Sequence, residues 1–167
     1  INADYLYQYF CGTAPTQHLL GLREALDMIL EEELRNVWAR HEAIARAVWA
    51  ACDAWGKGGP LAMNIADPAL RSHAVTALSI GAPNGLNLRR WTEHQAGLTL
   101  GIGLNMATDD DPNADGFFRI GHMGHVNAHM IMGTLGAIQS GLMASDIPHG
   151  AGGLEAAARV LAEATRD

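Results

Sequence analysis

Cysteine is scarce in this chain, with Cys11 and Cys52 the two examples in 167 residues. Two thiols are too few for the disulfide framework of a small secreted domain. Free thiols fit a reducing compartment, so the expected location is cytoplasmic. Long apolar runs are also lacking: no stretch approaches the roughly 20 residues that a membrane span requires, and no secretory leader pattern is visible. Positive charge is short as well. A net charge of −7 argues against a general nucleic-acid-binding role, which needs a basic surface. What the chain does have is apolar material: 49% hydrophobic against 17% charged residues, a balance that builds a core rather than a disordered tract. The length suits one domain, or a small domain plus a connecting segment. The first residue is Ile1, and Tyr5-Leu6-Tyr7-Gln8-Tyr9-Phe10 reads as a buried or interface segment. We therefore expect the sequence to begin inside a longer chain.

Leu19, Leu22, Leu26, Ile29 and Leu30 recur at helical spacing after Thr16, which is the expected N-cap. A second helix is expected from Leu34 to Trp55, with Val37, Trp38, Ile44, Val48 and Cys52 on one stripe. It stops at Gly56-Lys57-Gly58-Gly59-Pro60, a breaker cluster. The remainder changes character. Strands are expected over 61–65, 74–80 and 117–120, and helices over 87–95, 127–143 and 154–165. Residues 98–104 are apolar but rich in glycine, so they make a weak strand or a turn that passes close to something. The pattern predicts an α+β fold, a small sheet with helices on one side.

Several clusters invite a chemical reading. His122, His125 and His129 stand close together, and a helix starting near His125 would put His125 and His129 on one face at metal-ligand spacing. Val126 stands where a catalytic glutamate would follow, so the zinc-protease pattern fails. The cluster reads more simply as a helix start and a polar surface. Asp111-Pro112-Asn113-Ala114-Asp115-Gly116 opens like a calcium loop, but His122 occupies the position of the bidentate glutamate. Gly101-Ile102-Gly103-Leu104 lacks the third glycine of a dinucleotide fingerprint. Arg119 lies in Gly116-Phe117-Phe118-Arg119-Ile120-Gly121. On a strand it shares a face with Phe117, while Phe118 and Ile120 face the other way. Its planar fork suits a carboxylate, and an edge-strand arginine paired with a surface acid is the equal alternative. Thr13-Ala14-Pro15-Thr16 places hydroxyls and amides at a helix start, which suits an anion such as phosphate or simple capping.

Taken together, Gly12-Thr13-Ala14-Pro15-Thr16 with Gly21-Leu22-Arg23-Glu24-Ala25-Leu26 resembles the class V aminotransferases of fold type I. Within that family the likeness is to the alanine–glyoxylate, serine–glyoxylate and pyridoxamine–pyruvate enzymes. Leu34-Arg35-Asn36-Val37-Trp38-Ala39-Arg40-His41, Phe118-Arg119-Ile120-Gly121-His122-Met123-Gly124 and Gly152-Gly153 continue the likeness in family order, over nearly the whole chain.

The resemblance implies a C-terminal portion. Residues 1–33 would end the large cofactor domain and make the dimer contact, 34–57 would be a connecting helix, and 58–167 the small α+β domain. Arg119 would bind the substrate carboxylate. Thr13 would help hold the phosphate of pyridoxal 5′-phosphate in the neighbouring subunit of a homodimer. Phe10 stands where many relatives have a tyrosine, which puts that hydroxyl contact in doubt. The activity implied is transfer of an amino group from an amino acid or amine to a keto acid such as glyoxylate or pyruvate. Such chemistry needs a Schiff-base lysine. The one lysine here, Lys57, lies in the glycine-rich break, and the family's lysine lies upstream of the Gly12-Thr13 motif. The piece alone is therefore expected to be inactive. Two rivals are a metal-binding module built on His122, His125 and His129, and a non-catalytic subunit that pairs with a lysine-bearing chain.

Overall fold

The leucines that recur after Thr16 form α1 (Thr16–Glu32), and the stripe that follows forms α2 (Leu34–Gly56). A computed structural model describes residue 5, residues 9–108 and residues 110–164. Residues 6–8 of the aromatic run, Asp109 of the acidic loop and Thr165 lie outside the described residues. The chain divides into two compact units, residues 1–38 and 39–167, with the division inside α2.

In the first unit α1 buries no residue, and Leu19, Leu22, Leu26, Ile29 and Leu30 are all exposed. Thr16 is not the expected cap. Pro15 occupies the N-cap position with φ −77° and no side-chain bond. The ring pre-sets the entry angle of a helix, so the helix starts one residue early. Thr16 then turns its hydroxyl back to the Ala14 carbonyl, at 3.3 Å.

The second unit holds an antiparallel sheet in the order β1-β2-β4-β3: β1 (Ala62–Met63), β2 (Val75–Ser79), β3 (Gly101–Ile102) and β4 (Phe117–Gly121). The strands expected over 61–65 and 98–104 shrink to two residues each. For β3 the reason is its glycines, which weaken a strand. Three helices complete the unit: α3 (Asn84–Ala96), α4 (Ala128–Ala144) and α5 (Gly153–Ala164).

Helix α3 begins at Asn84, three residues earlier than the sequence pattern placed it. Pro83 is its N-cap residue, and its carbonyl accepts from Asn87 N at 3.0 Å. Helix α4 starts at Ala128, where the side chain of Asn127 accepts from Met130 N at 2.9 Å. That bond satisfies one of the orphan donors of the first turn.

Leu78, Ile80, Phe118 and Ile120 alternate onto one face of the sheet and are fully buried. They pack with Ile44, Val48 and Trp55 of α2, Leu88 of α3, Leu135 and Ile138 of α4 and Ala157 of α5. Gly141 lets α3 and α4 approach closely, because a Cβ there would lie 2.7 Å from Leu88. The result is the α+β arrangement expected, with a small sheet and helices against its apolar face. No helix among the described residues is long and apolar enough to cross a membrane.

Candidate functional site

Strand β4 lies between β2 and β3, so Arg119 is on an inner strand and not an edge. Its cross-strand partners are Ala77 on β2 and Gly101 on β3. Directly opposed residues share a face, so two small residues flank the arginine. The strand alternates as the sequence predicts: Phe118 and Ile120 are buried, while Phe117 and Arg119 are half-buried on the other face. Arg119 Nε donates to the Ile102 carbonyl at 2.6 Å. Among the described residues no carboxylate pairs with it, and neither Nη atom has a hydrogen-bond partner. A guanidinium carries five donors, so this one faces outward with most of its capacity unused. It can take an anion in bidentate fashion.

The opposite face of the same segment is closed. His122 is fully buried. Its Nδ1 lies 3.1 Å from the His73 carbonyl, its Nε2 2.9 Å from Thr76 Oγ1, and Trp49 Nε1 donates to the same hydroxyl at 3.0 Å. A carbonyl only accepts, so Nδ1 carries the hydrogen. Burial holds the imidazole below its ordinary pKa of 6.5, against the bond to the His73 carbonyl and with help from nearby His41 and His73. The ring is therefore neutral near pH 7, Nε2 accepts, and Thr76 donates to it. The direction of the chain is thus fixed: Trp49 to Thr76, Thr76 to His122, His122 to His73.

This arrangement removes the metal reading of His122, because both ring nitrogens are already engaged. His125 falls before α4 and not on it, and His125 and His129 are both exposed. The acidic loop behaves as a loop: Asp111 accepts from Asn113 N at 2.8 Å, and Asp115 sits 3.5 Å from Arg89. Among the described residues no group of three or more His, Cys, Asp or Glu is placed to hold a metal.

Sequence reasoning missed the clip that follows β4. Arg40 Nη1 donates to the carbonyls of Gly124 and Val126, at 3.1 and 2.8 Å, and His41 Nε2 reaches Gly124 O at 2.9 Å. The sequence pattern puts Arg40 on the polar face of the second helix, and the partners of Arg40 and His41 lie more than eighty positions away in sequence. No local signal could have found them.

Thr13 lies in the first unit, exposed in the turn that leads into α1. Its hydroxyl has no hydrogen-bond partner among the described residues, and no side chain caps α1. Phe10 is exposed nearby in sequence, as is Tyr9. Lys57 is exposed beyond the end of α2. Cys11 and Cys52 are both free thiols; burial pushes that of Cys52 far up, which rules it out as a nucleophile.

No family model matches the chain. Individual relatives do. It is 37% identical over 142 residues to serine–glyoxylate aminotransferase of Arabidopsis thaliana, covering 81% of this chain and 33% of the relative. It is 36% identical over 137 residues to the serine–glyoxylate aminotransferase of Hyphomicrobium methylovorum, covering 80% of this chain and 31% of the relative. Among solved structures it is similar to pyridoxamine–pyruvate aminotransferase from Mesorhizobium loti, with TM-score 0.76 and 27% identity over 90% of this chain and 37% of that one. The chain thus spans about a third of the length of these relatives. Sequence and fold agree: over about 80% of its length the chain is similar to class V aminotransferases, as an aminotransferase-like fragment consistent with the C-terminal α+β portion of a fold type I enzyme.

Proposed function

We propose that this chain is the substrate-clamping portion of a pyridoxal-phosphate-dependent aminotransferase. The parent moves an amino group from an amino acid or amine to a keto acid, glyoxylate or pyruvate. The observation that carries this reading is Arg119: an inner-strand guanidinium, tethered at Nε, with both Nη atoms unpartnered among the described residues. Such a group holds a carboxylate by two parallel charge-assisted bonds. It fixes the substrate's orientation without taking part in proton transfer.

The names of the relatives support glyoxylate or pyruvate as the acceptor. Pyridoxal phosphate, when bound, supplies the electron sink for amino transfer. The residues here suit one end of it. The Thr13 hydroxyl is exposed and unpartnered, beside a helix start whose first amides have no side-chain cap, a setting that favours a phosphate. Thr13 holds that phosphate across a homodimer interface. The exposed leucine stripe of α1 supports such an interface, since a broad apolar face marks a surface that pairs. Lys57 is exposed after the end of α2, which supports assigning the cofactor's lysine to the rest of the parent chain and reading the piece alone as inactive. Residues 1–33 close the large domain, 34–57 connect, and 58–167 form the small domain. The location is cytoplasmic.

The test uses the full parent enzyme. Arg119→Ala should lower kcat/KM for glyoxylate by about 100-fold or more, the scale of losing a charge-assisted bidentate contact of about 3 kcal/mol, with the cofactor absorbance of the resting enzyme unchanged. An undiminished kcat/KM rules the clamp out. An intact mass equal to that of the 167 residues alone, in material that transaminates, rules out the parent.

A further inference from the structure

The glycine pair at 101 and 103 is the close approach that the sequence flags without a partner. The partner is the open face of β4. Gly101 is directly opposite Arg119. A Cβ built on Gly101 would stand 3.2 Å from Arg119 Cβ and 3.3 Å from both Nε and Nη2. A Cβ on Gly103 would overlap Phe117, the residue two before Arg119 on the same face. So β3 is bare where the guanidinium crosses it, and the next carbonyl along, that of Ile102, accepts from Nε at 2.6 Å.

We propose that Gly101 and the Ile102 carbonyl are positioning elements for Arg119, which select the edge of the guanidinium that meets the substrate. This rests on the reading of Arg119 as the carboxylate clamp. A guanidinium offers two bidentate edges, one made by Nε with Nη2 and one by Nη1 with Nη2. The first is occupied at Nε by a main-chain oxygen. The carboxylate is therefore gripped end-on, by the two Nη atoms. A side chain at 101 would press on the tethered edge, lift the group off β3 and turn the free edge away from the substrate. Gly101 is in this sense a specificity residue, acting only on substrates that bear a carboxylate.

The experiment compares glyoxylate with acetaldehyde, which has the same aldehyde but no carboxylate, as amino acceptors for the full parent enzyme. The readout is the ratio of their kcat/KM values. Gly101→Val should lower that ratio about tenfold or more and Gly101→Ala about threefold, mostly through KM for glyoxylate, since a displacement of about 1 Å in a positioning group can cost up to about 100-fold. Acetaldehyde turnover and the melting temperature of Gly101→Ala should stay as in the parent. In an Arg119→Ala background, Gly101→Val should lower the ratio no further. If Arg119→Ala collapses the ratio while both Gly101 variants keep it within twofold, the positioning claim is wrong and the clamp stands. A further fall of the ratio in the double variant also overturns it, because Gly101 would then act elsewhere. If Arg119→Ala itself keeps the ratio, the clamp reading fails and takes this inference with it.

Discussion

Phe118, Ile120 and His122 point to one side of the segment that runs through β4, and Phe117 and Arg119 to the other; the two sides end in opposite chemical states. On the closed side both ring nitrogens of His122 are matched, and the apolar neighbours are fully buried. On the open side a cation sits between an alanine and a glycine with donors unused. One face is finished by folding. The other is left for a ligand to finish. Unmatched donors on a rigid strand are costly only where water is excluded, and Arg119 is half-exposed, so the fold tolerates them.

The sharpest way to break the contrast is on the closed side. Phe118→Ala should cost about 4 kcal/mol of unfolding free energy in urea titrations, the usual scale for emptying a fully buried aromatic site. A cost under about 1 kcal/mol would mean that this face is not packed as described. Next in size is Thr76→Val, which keeps the shape but strands Trp49 Nε1 and His122 Nε2. It should cost about 2 kcal/mol, since buried groups without partners carry their desolvation penalty. Arg119→Ala on the open side should leave stability nearly unchanged while it removes the clamp, and this divergence between the two readouts is what separates the faces.

The smallest effect is a pH dependence. The folded pKa of His122 is depressed by burial, so the unfolded chain binds the proton more readily. The stability from keeping this ring neutral is fully present above the unfolded value, and is lost as pH falls from there toward the depressed folded value. Unfolding free energies taken across that window should decline toward acid in the parent, and decline less steeply in His122→Asn. Equal slopes would show that His122 is not the group responsible.

Much of this was legible in the sequence because it is local. The alternation Phe117 to Ile120 declares two faces, and the periods in α1 and α2 declare helices. The start of α3 was misjudged because Asn84-Gly85 looks like a turn. Gly85 is there instead for space: a Cβ would strike the backbone of Asp115 and Gly116. The metal reading of His122 erred for a related reason, in that His125 and His129 are its neighbours in sequence but Thr76 and Trp49 are its neighbours in space. Arg119 was singled out for the aromatics and glycines beside it, yet nothing in that stretch indicates Gly101 or Ile102.

The clip at Gly124 and Val126 and the tether at Ile102 share one property: the acceptor is a main-chain oxygen in each case. Replacing the side chains of those residues deletes no acceptor. A systematic alanine survey would leave every one of these acceptors in place and would report Arg40, His41 and Arg119 without their partners. Half of each contact is written in the path of the backbone, where glycine, proline or an amide-to-ester exchange would have to be used to read it.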